Sequence, residues 1–323
     1  MKIHYDIENL PQFRNAVVTI GTFDGVHLGH RKIIDRLKTE ADAINGETVI
    51  ITFHPHPRKV VSATIPGIRL INTLDEKIEL LENAGINHLV VVPFTAAFAN
   101  QLAEDYVKNF LVSKFHPHTI IIGYDHRFGK ERKGDYILLE NMAEECNYVL
   151  KEIPKQMLDE ISISSTKIRE ALVEGEIEVA DKLLGYEFFF SGVVVDGDKL
   201  GKKLGYPTAN LKILDEEKII PGNGIYAVYI EARDREPNVR SQTSDFKLQT
   251  SLFKGMMSIG FRPTVGGSKR VVEVNIFDFN EEIYGQTLKV FVKKYLREEI
   301  KFNNLEDLVK QIDKDKAESL KVL

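Results

Sequence analysis

The chain has 323 residues, of which 43% are hydrophobic and 28% are charged, and its formal net charge is −5. This composition is typical of a globular protein long enough for two domains. The acidic balance argues against nucleic acid or an anionic membrane as the main partner. The single cysteine, Cys146, excludes an internal disulfide, and no apolar run reaches the ~20 residues that a membrane helix needs. The N-terminus has no signal-peptide pattern, so we expect a cytoplasmic protein.

The first half of the chain alternates short apolar runs with helical patterns. The runs are almost continuously apolar, as expected for strands that are buried on both faces. Thr73 and Glu76 form a capping box that predicts the start of a helix, and Gly85 predicts its end. The alternation predicts a doubly wound, Rossmann-like α/β domain with a mainly parallel sheet. Its strands are predicted at 16–20, 48–53, 88–93, 119–123 and 148–153.

A glycine-rich decapeptide, Gly21-Thr-Phe-Asp-Gly-Val-His-Leu-Gly-His30, lies between the first strand and the first helix. Free backbone N–H groups and the positive end of a helix dipole meet at such a turn, which favours phosphate binding. His27 and His30 are three residues apart and share one face of the helix. Two imidazoles above an anion site indicate nucleotidyl transfer, with both rings hydrogen-bonded to the phosphates of a nucleotide.

Two further peptides follow later strands of the predicted sheet, at the carboxyl ends where ligands bind in doubly wound folds. His54-Pro-His-Pro57 follows the second strand, and its histidines could join His27 and His30 as zinc ligands. No cysteine pair accompanies them, so we favour a proline-fixed wall of the substrate pocket. Gly123-Tyr-Asp-His-Arg-Phe-Gly129 follows the fourth strand. It predicts a flavin- or nucleotide-contacting loop, with a solvated basic loop as the alternative.

The segment Ser164-Ser-Thr-Lys-Ile-Arg169 opens the next predicted helix, at about 165–173. Its hydroxyl groups could serve only as N-caps. Together with Lys167 and Arg169 at one helix start, they also suit a triphosphate. A second short helix is predicted at 177–184. The change from helical patterns to strand patterns near Gly185 predicts a domain boundary.

From Glu187 onward the chain predicts strands joined by turns that contain glycine and proline. In 287–293, apolar and other residues alternate with a period of two. Several such strands predict an antiparallel β-barrel. The predicted strands are 187–196, 225–232, 254–259, 270–279 and 287–293.

One amphipathic helix is predicted to close the chain, with Asn304 as its N-cap. The residues predicted to form its apolar stripe are Leu305, Leu308, Val309, Ile312 and Leu320. Residues 233–250 are polar and interrupt the rhythm of the strands, which predicts a long exposed loop.

Two polar features of the second half are candidates for chemistry. The peptide Gly201-Lys-Lys-Leu-Gly-Tyr-Pro-Thr-Ala-Asn210 could bring the oxygens of Thr208 and Asn210 to Mg²⁺ and its backbone to ATP; a structural turn is the alternative. Glu273 interrupts a predicted strand. It is a candidate general base if its face lines a barrel mouth, and an ordinary exposed residue otherwise.

Taken together, these motifs resemble the bacterial bifunctional riboflavin kinase/FMN adenylyltransferase family, also called FAD synthetases. The first half is similar to the adenylyltransferase module in GTFDGVHLGH (21–30), FHPHP (53–57), GYDHRFG (123–129) and ISSTKIR (163–169). The second half is similar to the flavokinase module in LGYPTANL (204–211), PGNGIYAV (221–228), IGFRPTV (259–265), Glu273, YGQTL (284–288) and LREEIKF (296–302).

The resemblance implies an FMN adenylyltransferase domain at residues 1–184 and a riboflavin kinase-like domain at residues 185–323. It implies two ATP-dependent reactions, which convert riboflavin to FMN and FMN to FAD. It also implies Mg²⁺ as the cofactor and ATP, FMN and riboflavin as small-molecule substrates.

The resemblance also assigns roles to individual residues. His27, His30 and Glu273 are the implied catalytic residues. The implied ATP contacts are Gly21, Phe23, Gly29, Ser165, Thr166, Arg169, Gly201, Lys202 and Thr208. The implied flavin contacts are His56, Asp125, Phe128 and Arg297, and the implied metal ligands are Thr208 and Asn210.

Lys202 stands where the family usually has arginine, and Ser258 stands where it usually has asparagine. These changes leave open an FMN adenylyltransferase whose second domain binds flavin without phosphorylating it. A non-catalytic flavin or nucleotide sensor is a second alternative, although a binding module needs no general base. A nucleotidyltransferase with another phosphate acceptor is a third alternative. The flavokinase-like second half argues against it.

Overall fold

The computed structural model describes residues 1–61, 69–153, 164–197, 201, 204–233, 252–264 and 267–323. The chain divides into two compact units, Met1–Ser165 and Thr166–Leu323. This division assigns the helices just before Gly185 to the second unit, while the domain boundary near Gly185 stays a prediction. Lys202 and most of the predicted loop 233–250 lie outside the described residues.

The first unit contains the parallel sheet that the sequence predicts. Its strands are β1 (Lys2–His4), β2 (Val17–Ile20), β3 (Thr48–His54), β4 (His88–Pro93), β5 (Thr119–Gly123) and β6 (Val149–Ile153). They pair in the order β1-β4-β3-β2-β5-β6, and every pairing is parallel. Strand β1 was not predicted, because three residues at a sheet edge give too short a pattern. Apolar clusters cover both faces of the sheet, as near-continuous apolar strands require.

Helices connect these strands and place the turns at one edge of the sheet. They are α1 (Leu28–Ala43), α2 (Pro57–Val61), α3 (Leu74–Asn83), α4 (Ala96–Ala99), α5 (Ala103–Asp105), α6 (Ser113–Phe115) and α7 (Tyr136–Ala143). A π-helix, Tyr106–Val112, joins α5 to α6, and a 3-10 turn spans Lys130–Arg132. The predicted capping box is confirmed: the Thr73 hydroxyl accepts from the Glu76 N–H at 3.3 Å.

The second unit contains the predicted antiparallel barrel. Two helices precede it, α8 (Ser165–Glu174) and α9 (Ile177–Leu184). The strands are β7 (Phe189–Val195), β8 (Ala209–Lys212), β9 (Gly224–Arg233), β10 (Leu252–Thr264), β11 (Gly267–Ile276) and β12 (Thr287–Arg297). They close in the order β10-β11-β8-β7-β12-β9. Strand β8 was predicted as part of a loop, because a proline and small polar residues surround it.

The terminal helix α10 (Leu305–Val322) begins at the predicted N-cap, where the Asn304 side chain accepts from the Asp307 N–H at 2.8 Å. The predicted apolar stripe is wrong at both ends, because Leu305 is 58% exposed and Leu320 is 45% exposed. The buried residues of the helix are instead Asp315 and Ser319. An ion pair between Asp315 and Arg297 sets the face that the helix turns inward.

Candidate active sites

The glycine-rich turn lies between β2 and α1, at the carboxyl edge of the parallel sheet. His27 is the N-cap of α1, and its Nδ1 accepts from the backbone N–H of His30 at 3.3 Å. Gly25 has a φ of +95°, in the left-handed region where glycine is favoured. Gly29 is buried, and a Cβ at this position would lie 3.1 Å from the His27 ring. The glycines therefore allow the turn to close tightly beneath the imidazole of His27.

The two predicted catalytic histidines are brought together as expected. Their rings stack with centroids 3.8 Å apart and planes 15° apart. Within the described part of the chain, the Nδ1 of His30 is buried and has no hydrogen-bond partner. Burial holds the pKa of His30 well below its usual value, and the charges of His27 and Lys77 lower it further. His30 is thus a neutral imidazole at physiological pH, and its unsatisfied nitrogen is suited to a ligand.

Residues near the turn anchor it from behind. The Phe23 ring is 2% exposed and lies 5.0 Å from the His30 ring, so it supports His30 from the core. The N–H of Gly21 donates to the carbonyl of Ile51 at 3.0 Å. Ser165 donates from its hydroxyl to the carbonyl of Asp24 at 3.0 Å, which places this predicted ATP contact at the turn.

Thr166 and Arg169 belong to the second unit, which begins at Thr166. Their roles in ATP binding stay predictions.

Lys77 is a buried residue beside the turn that the sequence analysis did not single out. Its side chain is 7% exposed and donates to the hydroxyl of Thr52 at 3.5 Å. Burial lowers the pKa of Lys77 to about 8, against the opposing effect of Asp24. One signal was present: Lys77 lies at helical spacing among Leu74, Ile78 and Leu81, where an apolar residue is expected.

The predicted flavin contacts of the first unit have different surroundings. His56 follows β3, and its Nδ1 accepts from the N–H of Arg58 at 3.2 Å. Asp125 is exposed, whereas Phe128 is 6% exposed and stacks on Tyr106 with a centroid distance of 5.0 Å. Their flavin contacts stay predictions. Burial also lowers the pKa of His126, in the same loop, to about 4.

The zinc alternative finds no support in the part of the chain that the structure describes. No group of three or more histidine, cysteine, aspartate or glutamate side chains is arranged there to hold a metal ion.

The second candidate site lies on the barrel, where three strands bring Glu273, Asn210 and Ser258 side by side. In the strand register, Glu273 of β11 is opposite Asn210 of β8 on one side and Ser258 of β10 on the other. The Glu273 carboxylate is 18% exposed and pairs with Arg262 at 2.5 Å. The structure thus places the candidate base next to a candidate metal ligand, which residue spacing could not establish.

Thr208 and Asn210 stand where neighbouring glycines leave room for their side chains. A Cβ at Gly201 would lie 3.2 Å from the Thr208 hydroxyl, and a Cβ at Gly197 would overlap the Asn210 amide. A hydroxyl and an amide oxygen are hard donors of the kind that Mg²⁺ prefers. These residues therefore fit a magnesium site.

Arg297, the predicted flavin contact of the second unit, is held by α10. Its Nε and Nη2 donate to the two carboxylate oxygens of Asp315 at 2.8 and 2.6 Å. Gln311 donates to the same carboxylate at 2.9 Å. The guanidinium is 21% exposed, so it retains a face toward solvent beside the end of β12. Its contact with flavin stays a prediction.

Comparisons with known proteins identify the family. The FAD synthetase family matches residues 10–167, and the riboflavin kinase family matches residues 184–323. This chain belongs to the bifunctional riboflavin kinase/FMN adenylyltransferase family. It carries both enzymatic domains of that family, and the resemblance drawn from its motifs is confirmed.

Two relatives are named bifunctional riboflavin kinase/FMN adenylyltransferase. The protein from Haemophilus influenzae is 34% identical over 94% of this chain and 92% of its own length. The protein from Buchnera aphidicola subsp. Schizaphis graminum is 38% identical over 98% of this chain and 96% of its own.

A crystal structure described as a macrolide-efflux protein from Streptococcus pneumoniae has a TM-score of 0.83. It is 28% identical, and the match covers 98% of this chain and 97% of that one. Among the described residues, none of the helices is both long and apolar enough to cross a membrane.

Proposed function

We propose that the first unit joins FMN to AMP at the glycine turn and that the second unit phosphorylates riboflavin at the Glu273 face of its barrel. The observation that carries the first assignment is the stacked histidine pair at the start of α1, with the buried Nδ1 of His30. The observation that supports the second is the strand register that puts Glu273 opposite Asn210.

In FAD synthesis, a phosphate oxygen of FMN attacks the α-phosphorus of ATP. A P–O bond forms to the α-phosphate, the bond to the β-phosphate oxygen breaks, and pyrophosphate leaves. The attacking phosphate has a second pKa of ~6 and is already largely a dianion near neutral pH. No protein base is needed, so catalysis depends on alignment and on stabilisation of the developing charge.

His30 suits this task because a neutral imidazole donates an N–H group without adding a charge that must be desolvated, and the ring of His27 stacks against it. The start of α1 adds the positive end of the helix dipole. We assign His27 and His30 to the ATP phosphates. Ser165, Thr166 and Arg169 are assigned to a second phosphate contact, for which only the position of Ser165 beside Asp24 gives structural support.

In riboflavin phosphorylation, the 5′-hydroxyl of riboflavin attacks the γ-phosphorus of ATP, and ADP leaves. Glu273 accepts the hydroxyl proton as the P–O bond forms. Its ion pair with Arg262, at 2.5 Å, holds the carboxylate in place on the barrel face.

Thr208 and Asn210 would hold Mg²⁺ through their oxygens. When bound there, the ion neutralises charge on the ATP phosphates. Gly201 and Lys202 are assigned to ATP and Arg297 to flavin.

The two activities are tested together by incubating the purified protein with riboflavin, ATP and Mg²⁺ and separating the flavins by chromatography. We expect FMN and then FAD. Formation of FAD from added FMN, without any FMN from riboflavin, would instead support the alternative in which the second domain has no kinase activity. Tight flavin binding with no product from either substrate would support the sensor alternative.

A further inference from the structure

Helix α3 is tied to the glycine turn by two buried polar links. In the first, the Asp24 carboxylate accepts from the N–H groups of Ile71 and Asn72 at 2.9 and 3.3 Å, just before the N-cap of α3. The second link runs from Lys77 to the Thr52 hydroxyl at 3.5 Å, and that hydroxyl donates to the carbonyl of Thr22 at 3.2 Å. Both links end in the segment 22–24, between β2 and α1.

The ammonium of Lys77 lies in an almost dry environment. Lys77 is 7% exposed, Thr52 is fully buried and Asp24 is 2% exposed. An ammonium has three hydrogen-bond donors, and burying a charge is costly unless the charge is compensated. Its contact with Thr52 is at the long limit of a hydrogen bond. A lysine is therefore energetically unfavourable at this position if its side chain only packs in the core.

The charged and titratable groups around Lys77 come from three elements. Asp24 and the N-cap His27 are in the turn, and His30 is on α1. Glu76, next to Lys77 on α3, accepts from the N–H of Thr73 at 3.0 Å. Asp24 is the acid that favours the charged form of Lys77, and its carboxylate is already engaged by two backbone donors. In the described part of the chain, the positive charge of Lys77 is thus balanced by one acid, which it shares with two backbone donors.

We propose that Lys77 is a positioning residue of the adenylyl-transfer site, where its ammonium supplies a fixed positive charge behind the glycine turn that favours binding of the ATP triphosphate. A charge in a buried site acts over a longer distance than one in water, so the ammonium does not need to touch the ligand. It also adds to the effect of burial, which holds the pKa of His30 below its usual value. The inference rests on the proposed function of this turn.

A variant of matched shape separates this role from a packing role. Lys77→Met keeps an unbranched side chain in the same space and removes the charge. Lys38→Met is the control. Lys38 is on α1, and it donates at 3.0 Å to the carbonyl of Ala84, which lies just after the C-terminal end of α3. We expect Lys77→Met to raise the KM for ATP in FAD synthesis by ~10- to 100-fold, with kcat and the KM for FMN little changed. Lys38→Met should leave all three values at those of the unaltered protein.

The pKa of His30 gives a second readout of Lys77→Met. In an NMR titration, the pKa of the His30 imidazole should move up toward its ordinary value when the charge is removed. An unaltered KM for ATP in a folded Lys77→Met protein would overturn the proposal.

A measurement on the unaltered protein does not depend on the folding of any variant. The pKa of Lys77 is about 8, and a bound triphosphate should raise it, so binding at pH 8 should take up protons. The probe is the magnesium complex of α,β-methylene ATP, titrated calorimetrically in buffers of different ionisation enthalpy. Absence of proton uptake would overturn the proposal, whereas failure of the protein to make FAD from FMN would overturn the proposed function instead.

Discussion

Gly29→Ala separates the function of the histidine pair from the stability of the fold. A Cβ at Gly29 would lie 3.1 Å from the Cε1 and Nδ1 of His27, which is closer than normal van der Waals contact. His27 is 7% exposed, caps α1 and stacks on His30, so its ring has little room to move away. The preference for alanine over glycine is about 1 kcal/mol in a helix interior and is smaller at Gly29, the second residue of α1. It offsets part of the local strain, and we expect the free energy of unfolding to fall by about 1 kcal/mol or less.

The effect on FAD synthesis should be larger than the effect on stability. A displacement of 1 Å in a positioning group can cost ~10²-fold in rate, so a shift of a few tenths of an ångström should cost about tenfold. The assay follows FAD formed from FMN and ATP, with riboflavin phosphorylation by the same protein as the internal control. Thr39→Ala, further along α1, is the control for helix propensity. FAD synthesis at the unaltered rate, or an equal loss of both activities, would refute this reasoning.

Three further changes test the second unit. Glu273→Gln should lower the rate of riboflavin phosphorylation by ~10²–10⁴-fold and leave FAD synthesis from FMN intact. Chromatography of the flavins measures both rates, and a variant that phosphorylates riboflavin as fast as the unaltered protein would exclude Glu273 as the base. Asp315→Asn leaves the Arg297 guanidinium without its buried partner and should lower the free energy of unfolding by about 3 kcal/mol in urea titrations; an unchanged midpoint would contradict this. Burial raises the pKa of Asp181 from 3.8 to about 7 in the folded protein. Between pH 3.8 and about 7, Asp181 has lost its proton in the unfolded chain but keeps it in the folded chain. The free energy of unfolding should therefore fall as the pH rises through this range. Asp181→Asn keeps an oxygen that can accept from the Phe188 N–H and should abolish this slope; a slope that persists would assign it to another group.

The main architecture of both units could be predicted because burial on two faces leaves a clear pattern. Strands β4 and β5 and helix α9 have the predicted bounds, His88–Pro93, Thr119–Gly123 and Ile177–Leu184. Strand β8 was missed because its pairing with β7 and β11, rather than its own composition, makes it a strand. The inward face of α10 was mispredicted because an ion pair with Arg297 buries Asp315, and apolar periodicity does not indicate a buried carboxylate.

The candidate sites were predictable only as far as their motifs were local. His27 and His30 lie three residues apart in one peptide, so their proximity could be predicted. That His27 caps α1 with an extended backbone could not. The neighbourhood of Glu273 and Asn210 depends on strand register between distant segments, which periodicity does not give. The burial of Lys77 against the turn is a tertiary property, which its helical spacing among apolar residues indicates only weakly.

The rate at which His30→Ala converts FMN and ATP to FAD tests the central claim most directly. If the stacked imidazoles hold the triphosphate, this rate should fall by ~10²–10³-fold while riboflavin phosphorylation by the same variant is unaffected. FAD formation at the rate of the unaltered protein would show that the triphosphate is held elsewhere.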